Sequence, residues 1–288
     1  MNRDSVKQHV YRAAFGVNPG LTFQIQHLRM HRRFGTHWYW ANIRNPATFN
    51  EKLLYSKLLG EHRQCGPLVD KELAKRWAGA RIGSEYIIET FSVFKEVRQS
   101  VLGGLPVPCI LKPTHSSGRV LVLRDRAQRT SPLTVKTVAE WLRINHFFLS
   151  GEPQYRDLEP KVICERLLGS QDGAINDYKM FCFGGEPKLI QVDTDRFTNH
   201  KRAFFDPSWT KQPFGLRYPP PERSVRKPRH LDEMLGCAQV LSRGFAFVRI
   251  DFYEYRDRVF FGEVTFHPES GLAPFTSYSD DLRLGQWL

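Results

Sequence analysis

The sequence predicts an α+β fold with room for two lobes, on three observations. Two stretches read as β-hairpins: MFCFGGEPKLIQVD (180–193), turning on Gly184-Gly185, and RIDFYEYRDRVFFGEVTF (249–266), where two aromatic-rich runs flank a charged turn. Helical patterns with an apolar stripe recur before and between them. The 288 residues are enough for two lobes and a sizeable core, with no internal repeat or low-complexity tract.

The elements follow in chain order. Residues 1–45 read as a basic helical extension, with the aromatics of THWYWANIR packing a helix onto the body. In PATFNEKLLYSKLL, Thr48 and Glu51 have the spacing of a capping box, and Phe49, Leu53, Leu54, Leu58 and Leu59 form an apolar stripe. In LVDKELAKRWAGARIG, Asp70 is placed to cap a short helix ending near Gly79 or Gly83. EYIIETFSVF and residues 106–111 are strand-like, and strands near 120–123 and 162–168 bracket a helix around 134–150. The Pro-rich, basic stretch 207–229 reads as a long loop. LDEMLGCAQVLSRG reads as a helix with Leu231, Met234, Leu235, Ala238 and Leu241 inside and Gly244 as its stop. The expected segments are the extension 1–45, a helical segment 46–104, a small lobe 105–164 and a large lobe 165–288.

Composition narrows the class. A hydrophobic content of 41% with 25% charged residues is that of a soluble globular protein. No apolar run reaches membrane-spanning length, and MNRDSVKQHVYRAAFG lacks the continuous apolar core of a secretory signal. Five scattered cysteines without a C-x-x-C point to reduced thiols in a cytoplasm and away from a zinc site. The net charge of +12 points to an anionic partner, or to a basic solvated face. No C2H2, RNP or KH pattern accompanies HLRMHRR or RSVRKPR, so nucleic acid is not the expected partner.

Chemistry enters at the second hairpin. Alternation puts Arg249, Asp251 and Tyr253 on one face, and Phe261, Glu263 and Thr265 on one face of the returning run. A loop centred on Asp257 sets Asp251 opposite Glu263 and Arg249 opposite Thr265. Facing carboxylates repel. They become favourable if they share a hard divalent cation such as Mg2+ on a nucleotide, or if Arg249 or Arg196 neutralises them. On the repulsion argument, Asp251→Asn spares the fold. PCILKPTHSSGRVLVL carries a second signal: a strand ends in Lys112, and Ser116-Ser117-Gly118 form a loop small enough for backbone N–H groups to approach phosphate oxygens. The loop is not a P-loop, because G-x-x-x-x-G-K-[ST] is absent.

The order of these motifs resembles ATP-grasp enzymes, and their wording resembles the TupA-like ATP-grasp family, associated with teichuronopeptide and envelope polysaccharide biosynthesis. PATFNEKLLYSKLL, DKELAKRW, ILKPTHSSG, ICERLL, DYKMFCFGGEP, DTDR, KPRHLDEML and FVRIDFY…FGEVTFHPESG carry the resemblance, from about residue 46 to the C-terminus. It implies two α+β lobes clasping ATP between antiparallel sheets. It also implies roles. Lys71 and Lys112 resemble phosphate-contacting lysines, and His115, Ser116, Ser117 and Gly118 the loop that closes on the β- and γ-phosphates. Glu165, Arg166 and Leu167 occupy the adenine-side hinge strand, and Asp177 the ribose position. Lys179 and Arg196 would face the phosphates or the acid substrate, and Arg249 resembles the arginine that steadies transferring charge. Asp251 and Glu263 resemble the Mg2+ ligands, and Thr265 stands where many relatives place Asn. His267 and Glu269 fall on the substrate side.

The implied reaction joins a carboxylate to an amine through an acyl phosphate, with ATP as co-substrate and Mg2+ as cofactor. The implied partners are an acidic polysaccharide or uronic-acid precursor and an amino acid or small amine. The implied location is the cytoplasm, with peripheral association to inner-membrane machinery compatible with such a pathway. Two other classes remain open. A glycosyltransferase would use Asp193-x-Asp195 to chelate a metal beneath a nucleotide sugar. A non-catalytic polyanion-binding protein would leave the acids of the hairpin idle.

Overall fold

The computed structural model describes residues 3–36, 39–169, 175–195 and 198–288. Two antiparallel sheets organise it. The first has four strands in the order β1-β4-β2-β3: β1 Thr90–Phe94, β2 Cys109–Pro113, β3 Leu121–Leu123 and β4 Val162–Arg166. The second has five in the order β7-β6-β5-β8-β9: β5 Asp177–Phe183, β6 Glu186–Thr194, β7 Lys201–Phe205, β8 Phe247–Glu254 and β9 Val259–Thr265. The first sheet thus recruits β1 from upstream of residue 105, and β4 runs past 164, because β1 finds its partner in Val162–Glu165.

Local chemistry sets most element ends. Helices α1 (Arg3–Val17) and α2 (Pro19–Arg33) form the extension, and Asn18 caps α2 through its side chain. Helix α3 (Phe49–Leu59) opens with the expected capping box and closes on Gly60 in the left-handed region. Its Glu51 does more than cap, since the same carboxylate accepts from the backbone N–H of Asn42 and Ala47. The expected stripe stops at Leu54, and Leu58 and Leu59 are exposed. At 100° per residue they fall away from the face set by Phe49 and Leu53, and that face instead buries Lys57. Asp70 caps the helix Lys71–Ile82, which ends at Gly83. The helix expected at 134–150 ends at Trp141, and a separate turn, Phe147–Ser150, begins where Asn145 Oδ1 accepts from Phe147 N.

The five-stranded sheet has two unlike faces. Met180, Cys182, Ile190, Val192, Val248, Ile250 and Phe252 form an apolar face. It is covered by the helix Leu231–Ser242, which contributes Leu231, Met234, Ala238 and Leu241, and by Ala74 and Ala78 of Lys71–Ile82. The opposite face is divided. One half is aromatic, with Phe181, Phe183 and Phe247 around Phe49, whose ring lies 4.9 Å edge-on to Phe247. The other half carries charged residues.

Candidate active site

The charged half is built from strand positions two apart on neighbouring strands. Lys179 pairs across β5 with Asp251 on β8 and Gln191 on β6, and Asp177 pairs with Asp193. Lys179 Nζ donates to Asp177 Oδ2 at 2.5 Å and to Asp251 Oδ2 at 2.7 Å. Arg249 grips both oxygens of Asp251, through Nε at 2.7 Å and Nη2 at 2.8 Å. The same Nη2 reaches Glu263 Oε1 at 3.2 Å and Thr265 Oγ1 at 3.1 Å. Charges therefore alternate along the row Asp177–Lys179–Asp251–Arg249–Glu263, and acids exceed bases by one. Burial, with Glu263 and Asp177 nearby, pushes the Asp251 carboxyl up against the pull of Arg249 and Lys179.

The hairpin register explains how two acids meet. Arg256 and Asp257, both at positive φ, form the two-residue turn between Tyr255 and Arg258. Arg249 lies opposite Thr265 as the alternation predicts. Between them the ladder shifts: Phe252 pairs with Phe261 and Ile250 with Val264, so Gly262 and Glu263 together face Asp251. That bulge corrects the expected face of Phe261, which turns to the apolar side and meets Phe252. It also explains Gly262, where a Cβ would sit 3.1 Å from the Asp251 carbonyl oxygen and from the Tyr253 ring.

The four-stranded sheet and the helix Lys71–Ile82 supply the opposite charge. Glu165 on β4 is nearly fully buried and accepts from Lys75 Nζ at 2.5 Å and Lys112 Nζ at 2.8 Å. Burial alone would raise its pKa, but Lys112 and Lys75 outweigh it and hold the carboxyl down to about 2. Lys71 Nζ donates to the carbonyl of Ser116 at 2.6 Å. Burial lowers the Lys71 pKa, and the field it feels includes Glu263 from the other sheet as well as Lys112 and Glu165. The two charged clusters thus lie within electrostatic reach of each other, three lysines around one glutamate on one side and the acid-rich row on the other.

The loop between them is pinned at both ends. His115 is buried, receives Lys161 N–H on Nδ1 at 3.2 Å and donates from Nε2 to the carbonyl of Trp141 at 3.1 Å. Thr114 Oγ1 donates to Asp70 Oδ2 at 2.8 Å. Arg119 donates to the Ser117 carbonyl at 3.3 Å and to Asp4 of α1 at 2.7 Å. Ser116 is buried, yet its Oγ has no hydrogen-bond partner. Lys71 holds the carbonyl of this same residue, and the Cβ direction of Gly118, at φ 77°, is open.

Other expected residues lie differently. Arg166 is exposed and pairs with Glu89, and Leu167 is half-buried just past β4. Arg196 lies outside the described residues. Asp193 and Asp195 do not come together as a pair: Arg202 grips Asp193 through Nε at 2.6 Å and Nη2 at 3.1 Å, while Asp195 is exposed beyond the end of β6 at φ 50°. Glu269 joins Arg202 at 3.0 Å and also binds Arg217. His267 is buried, with Nε2 2.9 Å from Ser56 Oγ and Nδ1 3.2 Å from Gln154. Sequence reasoning missed three buried charged residues. Lys75 was readable, because it stands four residues after Lys71 on the same helix face. Arg202 and Lys57 carry no local signal; Lys57 is buried against the carbonyl of Ser270, and burial brings its pKa down to about 8 despite Glu152.

Among the described residues no three His, Cys, Asp or Glu side chains gather as a metal cage. The donors on offer are the carboxylates of Asp251 and Glu263 and the hydroxyl of Thr265. These are hard oxygen ligands of the kind and number that suit Mg2+ when substrate phosphates and water complete its shell.

The sequence profile of the TupA-like ATPgrasp family matches residues 51–288, more than four-fifths of the chain. No curated protein matches. Among solved structures, D-alanine–D-alanine ligase from Bacillus anthracis complexed with ATP is 15% identical, with 69% of this chain and 54% of that one covered and a TM-score of 0.41. The Helicobacter pylori D-alanine–D-alanine ligase is 17% identical, covering 77% and 61%, also at 0.41. The ATP-grasp ligase PsnB, complexed with minimal precursor, Mg and ADP, is 12% identical, covering 75% and 57%, at 0.38. The chain spans between half and two-thirds of the length of these structures.

Proposed function

Since the chain belongs to the TupA-like ATP-grasp family, we propose that it is an ATP-dependent ligase that joins a carboxylate to an amine through an acyl phosphate. The four-stranded sheet would form the small lobe and the five-stranded sheet the large one. The observation that carries the reading is the opposition of two charge clusters, lysines around Glu165 against the acid-rich row on β5, β8 and β9. The lysine side fits the phosphates of ATP, and Asp251, Glu263 and Thr265 fit Mg2+. Bound there, the metal would neutralise phosphate charge. Arg249 would release Glu263, its longest contact, before it released the two short bonds to Asp251.

In this scheme Lys112 and Lys71 bind phosphate oxygens. Ser116 Oγ takes one of them, and Lys179 and Arg249 hold the charge that spreads as the γ-phosphoryl group moves to the substrate carboxylate. An amine then attacks the acyl phosphate, giving amide and phosphate. No protein nucleophile is needed, and the pinned loop 114–119 screens a hydrolysable intermediate from water. The acid we propose is a uronic-type cell-surface polysaccharide or its precursor, and the amine an amino acid. The net charge of +12 supports an anionic acceptor. A glycosyltransferase site at Asp193-x-Asp195 finds no support in the geometry, since Arg202 takes up Asp193.

The test is calorimetry with Mg2+, ATP against nucleotide sugars, on wild type and Lys112→Ala. ATP binding that is lost in the variant supports the ligase reading, and ADP release is then screened over uronic acids and amines. Binding of a nucleotide sugar alone, indifferent to Lys112, overturns it.

A further inference from the structure

The extension ahead of the family-matched segment presents a surface of its own. On α1, Val6, Val10, Ala13 and Val17 recur at intervals of four, three and four, which places them on one stripe of the helix. All four are exposed, Val10 at 60% and Val17 at 88%. The inner side of α1 is already used, with Phe15 against Phe147 and Phe23, and Gln8 accepting from Asn145 N. Past the Asn18-Pro19 joint, Leu21 and Ile25 of α2 are exposed as well. A helix lying on a soluble body normally turns polar residues outward. Here the outward stripe is aliphatic.

Charge selects the occupant. Residues 1–45 hold seven Lys and Arg against one acid, Asp4, and Asp4 is already paired with Arg119. Lys7, Arg29 and Arg32 are exposed on the same two helices. A second copy of this chain would bring the same uncompensated charge against itself. Neither helix is long enough to cross a membrane. An aliphatic stripe flanked by bases is the composition of a helix that lies in the plane of a bilayer with anionic headgroups. We propose that the outer face of α1, continued by Leu21 and Ile25, docks this protein on an anionic lipid surface.

The test is flotation of the full chain with vesicles of phosphatidylcholine alone or with about a third phosphatidylglycerol, at low and high salt. Wild type floats with the anionic vesicles only, and less so at high salt. Val10→Asp with Val17→Asp lowers that binding about tenfold or more while the melting temperature stays put, because both side chains are exposed. Lys7→Glu with Arg29→Glu lowers it too. Wild type left unbound by anionic vesicles overturns the proposal. So does binding unaffected by the double aspartate variant, or a dimer in sedimentation that this variant abolishes. Nucleotide takes no part in the measurement, so its outcome is independent of the ligase reading.

Discussion

The two sheets solve the same electrostatic problem in different ways. The five-stranded sheet keeps this row of charges on its own strands, with Lys179, Asp251 and Arg249 each between two ions of opposite sign, and buries it so that Lys179 and Asp251 are nearly inaccessible. The four-stranded sheet contributes only Lys112 and Glu165; Lys71 and Lys75 arrive from a helix, and the loop is held by Asp70, Lys161 and Asp4. One site is integral to a sheet. The other is assembled from two strands, a helix and a loop. Substitutions should therefore strike stability in the large sheet and binding in the small one.

The largest contrast is Lys179→Ala against Lys112→Ala. Removing Lys179 leaves Asp177 and Asp251 facing each other in the interior, and breaking a buried ion pair costs about 3–5 kcal/mol. Urea unfolding should show that loss. Lys112→Ala leaves the buried Glu165 still paired with Lys75, so unfolding should shift less, by about 1–3 kcal/mol, while ATP affinity falls at least about tenfold. Equal destabilisation in both would erase the distinction between the sheets. Glu263→Gln sharpens it from the other side. Its side chain is 35% exposed and makes the longest contact to Arg249 in the row, so the melting temperature should hold while Mg2+-dependent turnover drops about a hundredfold. Asp251→Asn is no longer the mild variant that carboxylate repulsion suggests, because it strips Arg249 and Lys179 of their shared partner.

The same contrast decides what could be read in the sequence. Strand alternation and the Gly-Gly turn made the two hairpins of the large sheet legible, and with the second Arg249, Asp251 and Glu263 as neighbours; Lys179 entered only through the family resemblance. The bulge was not legible, because FFGEV alternates as smoothly as an unbulged strand; only the close approach of Gly262 to Asp251 reveals it. The small site showed its lysines and loop but not their partners. Glu165 looks like a residue free to meet a ligand until Lys75 arrives from a helix ninety positions away. Asp193, Arg202 and Glu269 likewise come together only through β6, β7 and the turn after β9.

A pH titration separates the small site from the joint of the N-terminal extension. Glu165 is held down to about 2, below its ordinary value near 4.5, so its contribution to stability is complete above about pH 4.5 and is lost as pH falls through about 2. Asp281 runs the other way. It accepts from Asn50 N–H and from Tyr39 O–H, and burial raises it to about 6. Its contribution is complete below about pH 4 and is lost as pH rises through about 6. Asp281→Asn should therefore match wild type near pH 4 and gain on it by about 3 kcal/mol near pH 7, measured by urea unfolding. Wild type holding an equal lead at both pH values would mean that Asp281 is ionised throughout.

The smallest expected effect tests how far the small site depends on residues outside the family-matched segment. Asp4 and Arg119 are partly exposed, and such a pair is worth at most about 1 kcal/mol. Arg119 also holds the Ser117 carbonyl, so losing Asp4 loosens the loop beside the orphaned Ser116 hydroxyl. Asp4→Arg should weaken ATP binding about threefold and raise amide exchange across 114–119, and adding Arg119→Asp should restore both. Rescue by the reversed pair would mean that the loop is ordered by a charge borrowed from α1. An effect in Asp4→Arg that persists in the double variant would assign it to the helix itself, and the four-stranded sheet would then be as self-sufficient as the five-stranded one.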